Sequence, residues 1–566
     1  GAALRFEAVV GVDDEVGATG SVSFQLWVDG KIAVDTGVLK GGAPAQPISV
    51  NLDGAKYLAL IVTDGGDGIS CDHADWADAH FTLKPGASEA PGPLQFNDEP
   101  PPPIASGTPA EPQIHGPRVV GATPKRDFLF LIPATGEGPL RYAAKNLPAG
   151  LTIDAKSGMI TGAIAQAGET DVEIEVTGAK GTGRRALKIV AGDHKLALTP
   201  PMGWNSWYIH YKNVTETDIR NAADALIRTG LAAHGYQYVC IDDGWADGRN
   251  ADGSIRPNAA KFGDMKALAD YIHSKGLKFG TYSSPGKKTC CELEGSYGHE
   301  AQDARTYAAW GVDLLKYDWC YYSEIEKGNT LEEMQHPYRV MREALDGVDR
   351  DIVYSLCQYG MGKVWEWGAD VGGNMWRTMG DIGAEGDSSG VLRIGFAHGD
   401  LGKTIRPGHW NDPDMLMVGR VAVAAKLTRN EAITQVSLWA MMAAPLVLSC
   451  DFSQLDQFTL DILTNDEIID VNQDPLGKAG GRVTRDLFTE VWSRPLYDGT
   501  VAVALFNRGP ARAPVTAKWA DVGLTGSQAV RDLWQKKDLG VVKDAYTAEI
   551  PARGCVVVKV GTPKGN

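Results

Sequence analysis

Two aspartates, and the cations beside them, carry the chemistry this sequence can offer. The first is Asp318, in Gly311-Val-Asp-Leu-Leu-Lys-Tyr-Asp-Trp-Cys320. There the apolar run Val312, Leu314 and Leu315 gives way to Lys316, Asp318 and Cys320. A carboxylate beside an ammonium at the end of a buried strand can serve as a nucleophile, although K-x-D alone is also an ordinary charged strand end. The second is Asp381, four residues after Arg377 in Trp376-Arg-Thr-Met-Gly-Asp-Ile382. Arg377 could serve either acid. The adjacent pair Asp242-Asp243 could read hydroxyl groups, bind a metal or cap a helix.

The same reactive types recur at the ends of successive strand-like runs. Gly203-Trp-Asn-Ser-Trp207 follows the first, Asp242-Asp-Gly-Trp245 the second, and Tyr282 with Cys290 the third. Lys316, Asp318 and Cys320 follow the fourth, Cys357-Gln358-Tyr359 the fifth, and Arg377 with Asp381 the sixth. Trp410-Asn-Asp-Pro-Asp-Met-Leu416, with Asp414, comes after these. Ten of the fifteen tryptophans fall between Trp204 and Trp439. Each taken singly reads as core, but indoles beside carboxylates suit a sugar, which offers a C–H face to stack and hydroxyls to bind.

The elements that must position these residues alternate strand and helix from about 196 to 476. Tyr236-Gln-Tyr-Val-Cys-Ile241 and Lys278-Phe-Gly-Thr-Tyr282 read as strands. Thr215-Glu-Thr-Asp218 reads as a helix start, and Leu268, Tyr271 and Ile272 line a helix that Gly276 closes. Such repetition over roughly 270 residues predicts a (β/α)8 barrel. The apolar stretch Val436–Leu448 is too short for a bilayer and reads as a barrel helix running into the last strand. No glycine-rich nucleotide fingerprint is present, and no cofactor is expected.

Around the barrel the texture is β. Residues 1–84 predict a β-sandwich with strands at Val22–Val28 and Leu58–Val62 and a hairpin turn at Asp29-Gly30. Residues 85–111 form a linker, eight of the chain's thirty prolines lying between Pro85 and Pro109. Residues 112–192 predict a second β module acting as a spacer, and 477–566 a C-terminal antiparallel β domain. A chain of 566 residues with 43% hydrophobic and 22% charged residues is ordinary soluble multidomain protein. Its formal charge of −16 argues against nucleic acid and anionic membrane as partners. The eight cysteines match no zinc template, and no metal is assigned. The acidic loops with Asp64, Asp67, Asp72, Asp75 and Asp78 could hold Ca²⁺, but such loops are more often solvated. The chain begins Gly-Ala-Ala-Leu, so any leader is expected to be missing from view.

The barrel motifs, in order, together with Leu315-Lys-Tyr-Asp318 and Asn472-Gln-Asp-Pro-Leu-Gly477, resemble glycoside hydrolase family 27, which includes the retaining α-galactosidases. Gly11-Val-Asp-Asp-Glu15, Asp64-Gly-Gly-Asp-Gly68 and Asp72-His-Ala-Asp-Trp76 resemble the NPCBM carbohydrate-binding modules, as a truncated example. Leu147–Gly162 resembles the Ig-like repeats of secreted bacterial enzymes. The family resemblance implies a nucleophile at Asp318 and an acid/base at Asp381. It implies sugar reading by Asp242, Asp243 and Lys316, stacking on Trp204, and a pocket completed by Tyr282 and Asp414. It also implies a Cys290–Cys320 disulfide, which needs an oxidising, secreted or periplasmic setting. Two departures stand out. Gln358-Tyr359 replaces the commoner Glu-Trp near the expected C2 substituent, and Trp319 puts bulk beside the nucleophile. The resulting expectation is an exo-acting α-galactosidase acting on a galactose-type terminal sugar. β-L-Arabinopyranosidase, α-N-acetylgalactosaminidase and isomalto-dextranase activities, or a non-catalytic sugar-binding protein, are the alternatives.

Overall fold

The computed structural model describes residues 2–66, 71–94, 99–383, 388–419, 421 and 427–563. Asp67 and Gly68 of the acidic loop lie outside the described residues. The chain divides into two compact units. One comprises residues 1–98 with the short segments 484–490 and 507–513, and the other comprises the remainder.

The first unit holds the predicted sandwich, built from two three-stranded antiparallel sheets. Phe6, Val10, Val22, Phe24 and Leu26 alternate inward and are buried between them. Strand Ser21–Val28 turns into Lys31–Lys40 through Asp29 and Gly30, both at positive φ (47° and 82°), which is the mirror-image turn that matches strand twist. Three acidic side chains of the loops each take a backbone N–H on one oxygen. Asp13 accepts from the Glu15 N–H, Asp64 from Gly66 and Asp72 from Ser21.

In the second unit the Ig-type module spans strands from Gln113–Ile114 to Gly181–Ala191, with Phe128, Phe130, Ile160, Val172, Ile174 and Val176 in its core. The barrel strands are β1 (Met202–Asn205), β2 (Tyr238–Cys240), β3 (Lys278–Ser283), β4 (Leu314–Tyr317), β5 (Val353–Leu356), β6 (Met375–Arg377), β7 (Trp410–Asp412) and β8 (Leu446–Leu448). All pair in parallel with their neighbours, β8 returns to pair with β1, and a parallel bridge from Leu416 to Leu448 closes the ring after β7.

The longer helices between them are α1 (Glu216–Arg228), α2 (Met265–His273), α3 (Glu300–Trp310), α4 (Leu331–Asp346), α5 (Ser388–Ala397) and α6 (Arg429–Met442). α1 starts on the predicted capping box, Thr215 and Asp218 each satisfying the other's backbone N–H. α2 ends at His273, and Gly276, at φ 77°, completes the reversal into β3. α6 is buried on every side, which accounts for the apolar stretch without a membrane. Its Ser437 hydroxyl accepts from Trp534 of the C-terminal domain at 2.9 Å. That domain centres on antiparallel strands Val501–Asn507 and Cys555–Val560, whose Val503 and Val558 face one another. Among the described residues no helix is long and apolar enough to cross a membrane.

Candidate active site

Parallel pairing fixes the register of the reactive residues. Tyr282 on β3 lies beside Lys316 on β4, which lies beside Ser355 on β5; Arg377 on β6 lies beside Asp412 on β7. The strands end there, and the next residues, Asp242, Asp318, Cys357, Asp381 and Asp414, rise from the carboxyl ends of the barrel. One pocket is lined by these together with Asp243, Tyr282, Lys316, Tyr359, Arg377, Trp207 and Tyr208. A larger cavity of about 300 Å³ lies at the opposite, amino-terminal end. Two carboxylates there are already bound. Asp313 holds His273 and Arg350, and Asp351 holds Thr123 and Arg126.

Asp318 is buried, and both of its oxygens are held. Oδ1 accepts from the Tyr359 hydroxyl at 2.6 Å and from the Trp319 N–H at 2.8 Å; Oδ2 accepts from the Tyr282 hydroxyl at 2.8 Å. Burial pushes its carboxyl above the ordinary range, while Lys316 and these three donors work in the opposite sense. Tyr359 reaches it from a backbone at φ 62°, a left-handed conformation that costs an aromatic residue about 1–2 kcal/mol.

Asp381 has a different environment. Its side chain is 48% exposed, and Arg377 donates to Oδ1 at 3.0 Å. The question left open by the sequence is thereby answered: Arg377 pairs with Asp381 and, at 3.1 Å, with Asp414. Asp414 is buried at φ 89°, and its Oδ2 also accepts from the Tyr208 hydroxyl and the Ile382 N–H. This last bond ties the backbone next to Asp381 to the turn that follows β7. Burial raises the carboxyl of Asp414 and pushes Asp412 up to about 6.

Asp242 and Asp243 diverge. Asp242 Oδ2 takes the Lys316 ammonium at 2.7 Å and the Asn205 amide at 2.8 Å. Burial alone would lower Lys316, but Asp242 outweighs it and holds the ammonium charged. Asp243 caps Gly244 and accepts from the Cys291 N–H at 2.7 Å, and burial raises its carboxyl. Cys290 and Cys320 form the disulfide, with Cα atoms 5.1 Å apart. Gly286 lies so close beneath that a Cβ would meet the Cys320 carbonyl oxygen at 2.2 Å. The bridge lies against the tyrosines that hold Asp318: Cys320 Sγ is 3.7 Å from the Tyr282 hydroxyl and 4.0 Å from that of Tyr359.

Three expected placements change. Trp204 does not line the pocket. It is buried, donates its indole N–H to the Cys450 carbonyl at 3.0 Å and packs on Phe452, so the indole in the pocket lining is that of Trp207, half-buried beside the buried Tyr208. Gln358 turns away into the barrel, fully buried, with its amide N–H on the Arg377 carbonyl at 3.4 Å. Trp319 does not crowd the nucleophile; its ring stacks on Tyr338 behind the strand. Tyr208, Tyr338 and Asp412 escaped the sequence reading. Tyr208 sits one residue beyond the motif that ends at Trp207, while Tyr338, which donates to the Asp318 carbonyl at 3.0 Å, comes from α4 with no motif around it.

A parallel barrel with two unlike carboxyls at its carboxyl end, one buried and one half exposed on an arginine, has the frame that a glycoside hydrolase needs. Comparison with known proteins agrees. A model described as Alpha galactosidase A matches residues 199–474, and one for the alpha galactosidase C-terminal beta sandwich domain matches 486–560. The NPCBM/NEW2 domain matches 1–82, and an Ig domain model matches 111–191. Alpha-galactosidase 2 of Arabidopsis thaliana is 43% identical over 64% of this chain and 89% of its own length. A Bacteroides fragilis crystal structure described as a candidate alpha-galactosidase/melibiase superposes at TM-score 0.75, with 37% identity, covering 80% of this chain and 98% of that one. A β-L-arabinopyranosidase of Geobacillus stearothermophilus superposes at TM-score 0.58 with 27% identity, covering 65% and 98%. The chain belongs to the alpha-galactosidase family.

Proposed function

We propose that the chain is a retaining, exo-acting α-galactosidase in which Asp318 is the nucleophile and Asp381 the acid/base. The observation that carries the reading is the contrast between the two acids. Asp318 is buried and aimed by two tyrosine hydroxyls, whereas Asp381 stands half exposed on Arg377, where a leaving group departs and water enters. In the first step an Asp318 oxygen attacks the anomeric carbon as the glycosidic C–O bond breaks, and Asp381 gives its proton to the departing oxygen. In the second step Asp381 takes a proton from water, the hydroxide oxygen bonds to the anomeric carbon, and Asp318 leaves as carboxylate. The Asp242–Lys316 pair offers an acceptor and a donor to adjacent hydroxyls, and Trp207 supplies the apolar wall.

The domains divide the work in this reading. Residues 1–84 bind carbohydrate, 85–111 link, 112–192 space, 196–476 catalyse and 477–566 buttress the barrel. The disulfide supports a secreted or periplasmic site of action.

The test is hydrolysis of 4-nitrophenyl glycosides with NMR detection of the first anomer released. The expected result is turnover of the α-galactoside with α-galactose appearing first. Cleavage of the β-L-arabinopyranoside alone, or release of the β-anomer, would overturn the substrate or the mechanism respectively. Asp318→Ala is expected to lose at least about 10⁴-fold in kcat, as removal of a covalent nucleophile does.

A further inference from the structure

Away from the pocket, below the barrel, three side chains from three elements meet. His115 follows strand Gln113–Ile114 of the Ig-type module, His234 ends the turn Leu231–His234 after α1, and Asp466 opens the helix Asp466–Asn472 that leads towards the C-terminal domain. Their exposures are 4%, 3% and 9%. Both imidazoles bring Nδ1 to the same oxygen, Asp466 Oδ1, at 2.9 Å from His115 and 2.6 Å from His234. The rings are stacked with centroids 5.0 Å apart. Among the described residues Asp466 Oδ2 is buried without a hydrogen-bond partner, with the Lys536 ammonium 3.9 Å away. On the far side of its ring, His115 Nε2 meets the Thr135 hydroxyl at 2.7 Å.

We propose that His115, His234 and Asp466 form a structural site for a divalent transition-metal ion of the zinc type, joining the Ig-type module to the barrel. Two imidazole nitrogens and one carboxylate oxygen, with water as a fourth ligand, are a donor set that zinc accepts and that calcium or magnesium, needing six or more oxygens, does not. The fit is close. Ligands at about 2.0–2.1 Å from a tetrahedral zinc lie about 3.3 Å from one another, so the two N···O gaps need open only by about 0.4–0.7 Å. The ligand atoms already lie within 4.8 Å of one another. The proton accounting also closes. Without metal each Nδ1–H donates to Asp466; on binding, each Nδ1 lone pair goes to the ion and each proton moves to Nε2, with none released. His115 Nε2–H then donates to Thr135, the kind of outer contact that fixes a ligand's tautomer and ring plane. Lys536 opposes the ion's charge, but it is 23% exposed on a flexible stem and can swing outward. The three positions are 119 and 232 residues apart, which is why no local motif announces them.

The experiment uses the full chain, stripped with a chelator and titrated with Zn²⁺ by calorimetry. The expected result is one ion per chain, a rise in Tm of several degrees that EDTA reverses, and a visible absorption band when Co²⁺ is used instead. His234→Gln and Asp466→Asn should each abolish all three effects while leaving glycoside hydrolysis at 25 °C unchanged, since neither touches the catalytic pocket. Equal Zn²⁺ binding by wild type and His234→Gln would place the ion elsewhere and overturn the proposal. So would the absence of both heat and a Co²⁺ band in the wild type, a result that needs no variant; the three residues would then be a hydrogen-bonded clasp alone.

Discussion

The nucleophile's hold on its charge is unevenly shared between its two oxygens. Oδ1 takes two donors, Tyr359 and the Trp319 N–H, while among the described residues Oδ2 takes only Tyr282. The less encumbered Oδ2 is the better attacking atom, and Oδ1 becomes the carbonyl oxygen of the glycosyl ester, still anchored. Tyr359 should therefore act on ionisation as much as on aim. Burial raises Asp318 above the ordinary carboxyl range, and the Tyr359 hydroxyl counteracts this by stabilising the ionised form. The reaction needs the carboxylate, so activity is lost as pH falls through that raised pKa. Tyr359→Phe removes a hydrogen bond to a charged group, worth about 1.5–3 kcal/mol, which corresponds to an upward move of the acidic limb of kcat/KM by roughly one to two pH units. A plateau lowered with no movement of that limb would mean that Tyr359 only shapes the pocket. Gln358→Glu, by contrast, would bury a second charge beside Cys357 without reaching the substrate, and should cost stability rather than alter specificity.

At the scale of elements, the loop between β3 and α3 governs the rim of the site through two bonds of different kinds. Cys290 fastens it covalently to the end of β4, and the next residue, Cys291, gives its N–H to Asp243. The bridge closes 30 residues, and a loop of that length is worth about 3–4 kcal/mol to the folded state. Cys290→Ser with Cys320→Ser should lower Tm accordingly and raise KM more than it lowers kcat, because Asp243 loses its anchor while Asp318 keeps its tyrosines. Dithiothreitol should reproduce the effect in wild type and leave the double variant unchanged; matching losses in both would point to another target. The neighbouring Cys291 thiol is pushed up to about 12, mainly by burial and by Asp243, so it stays protonated and does not attack the bridge at neutral pH.

This scale also separates what sequence could say from what it could not. The capping box at Thr215, the Asp29-Gly30 turn and the strand-end acids are local patterns, legible without a fold. Which of two tryptophans in Gly203-Trp-Asn-Ser-Trp207 faces the pocket depends on where β1 stops and how the chain turns. Trp204 is still in the strand, pointing at Cys450, whereas Trp207 has left it. The pair Gln358-Tyr359 is expected to face the C2 substituent, but Gln358 turns inward and Tyr359 holds Asp318, because Tyr359 adopts a left-handed backbone, for which glycine or asparagine is the usual signal and tyrosine is none.

Across the whole molecule, the barrel's two ends do opposite jobs. The carboxyl end holds the acids, and the amino end is covered by the Ig-type module, whose part-buried polar bonds to the barrel accompany apolar packing by Leu131. The Thr123 N–H donates to Asp351 at 2.7 Å, Arg126 to the Arg350 carbonyl at 3.0 Å, and the Gln237 amide to the Leu131 carbonyl at 2.9 Å. Removing the module exchanges each of these bonds for water, a net loss of about 0.5–1.5 kcal/mol apiece. Residues 192–566 alone should therefore unfold several degrees below the full chain, since three such losses total about 1.5–4.5 kcal/mol. Yet Asp318, Asp381 and their donors all come from the barrel itself. The fraction that remains folded should keep kcat/KM within about threefold of the full chain, because nothing in the Ig-type module reaches the reacting atoms. Differential scanning calorimetry paired with active-site titration separates the two quantities. An unchanged Tm would show the module to be a passive spacer, and a collapse of kcat/KM per folded molecule would show that the barrel's two ends are coupled.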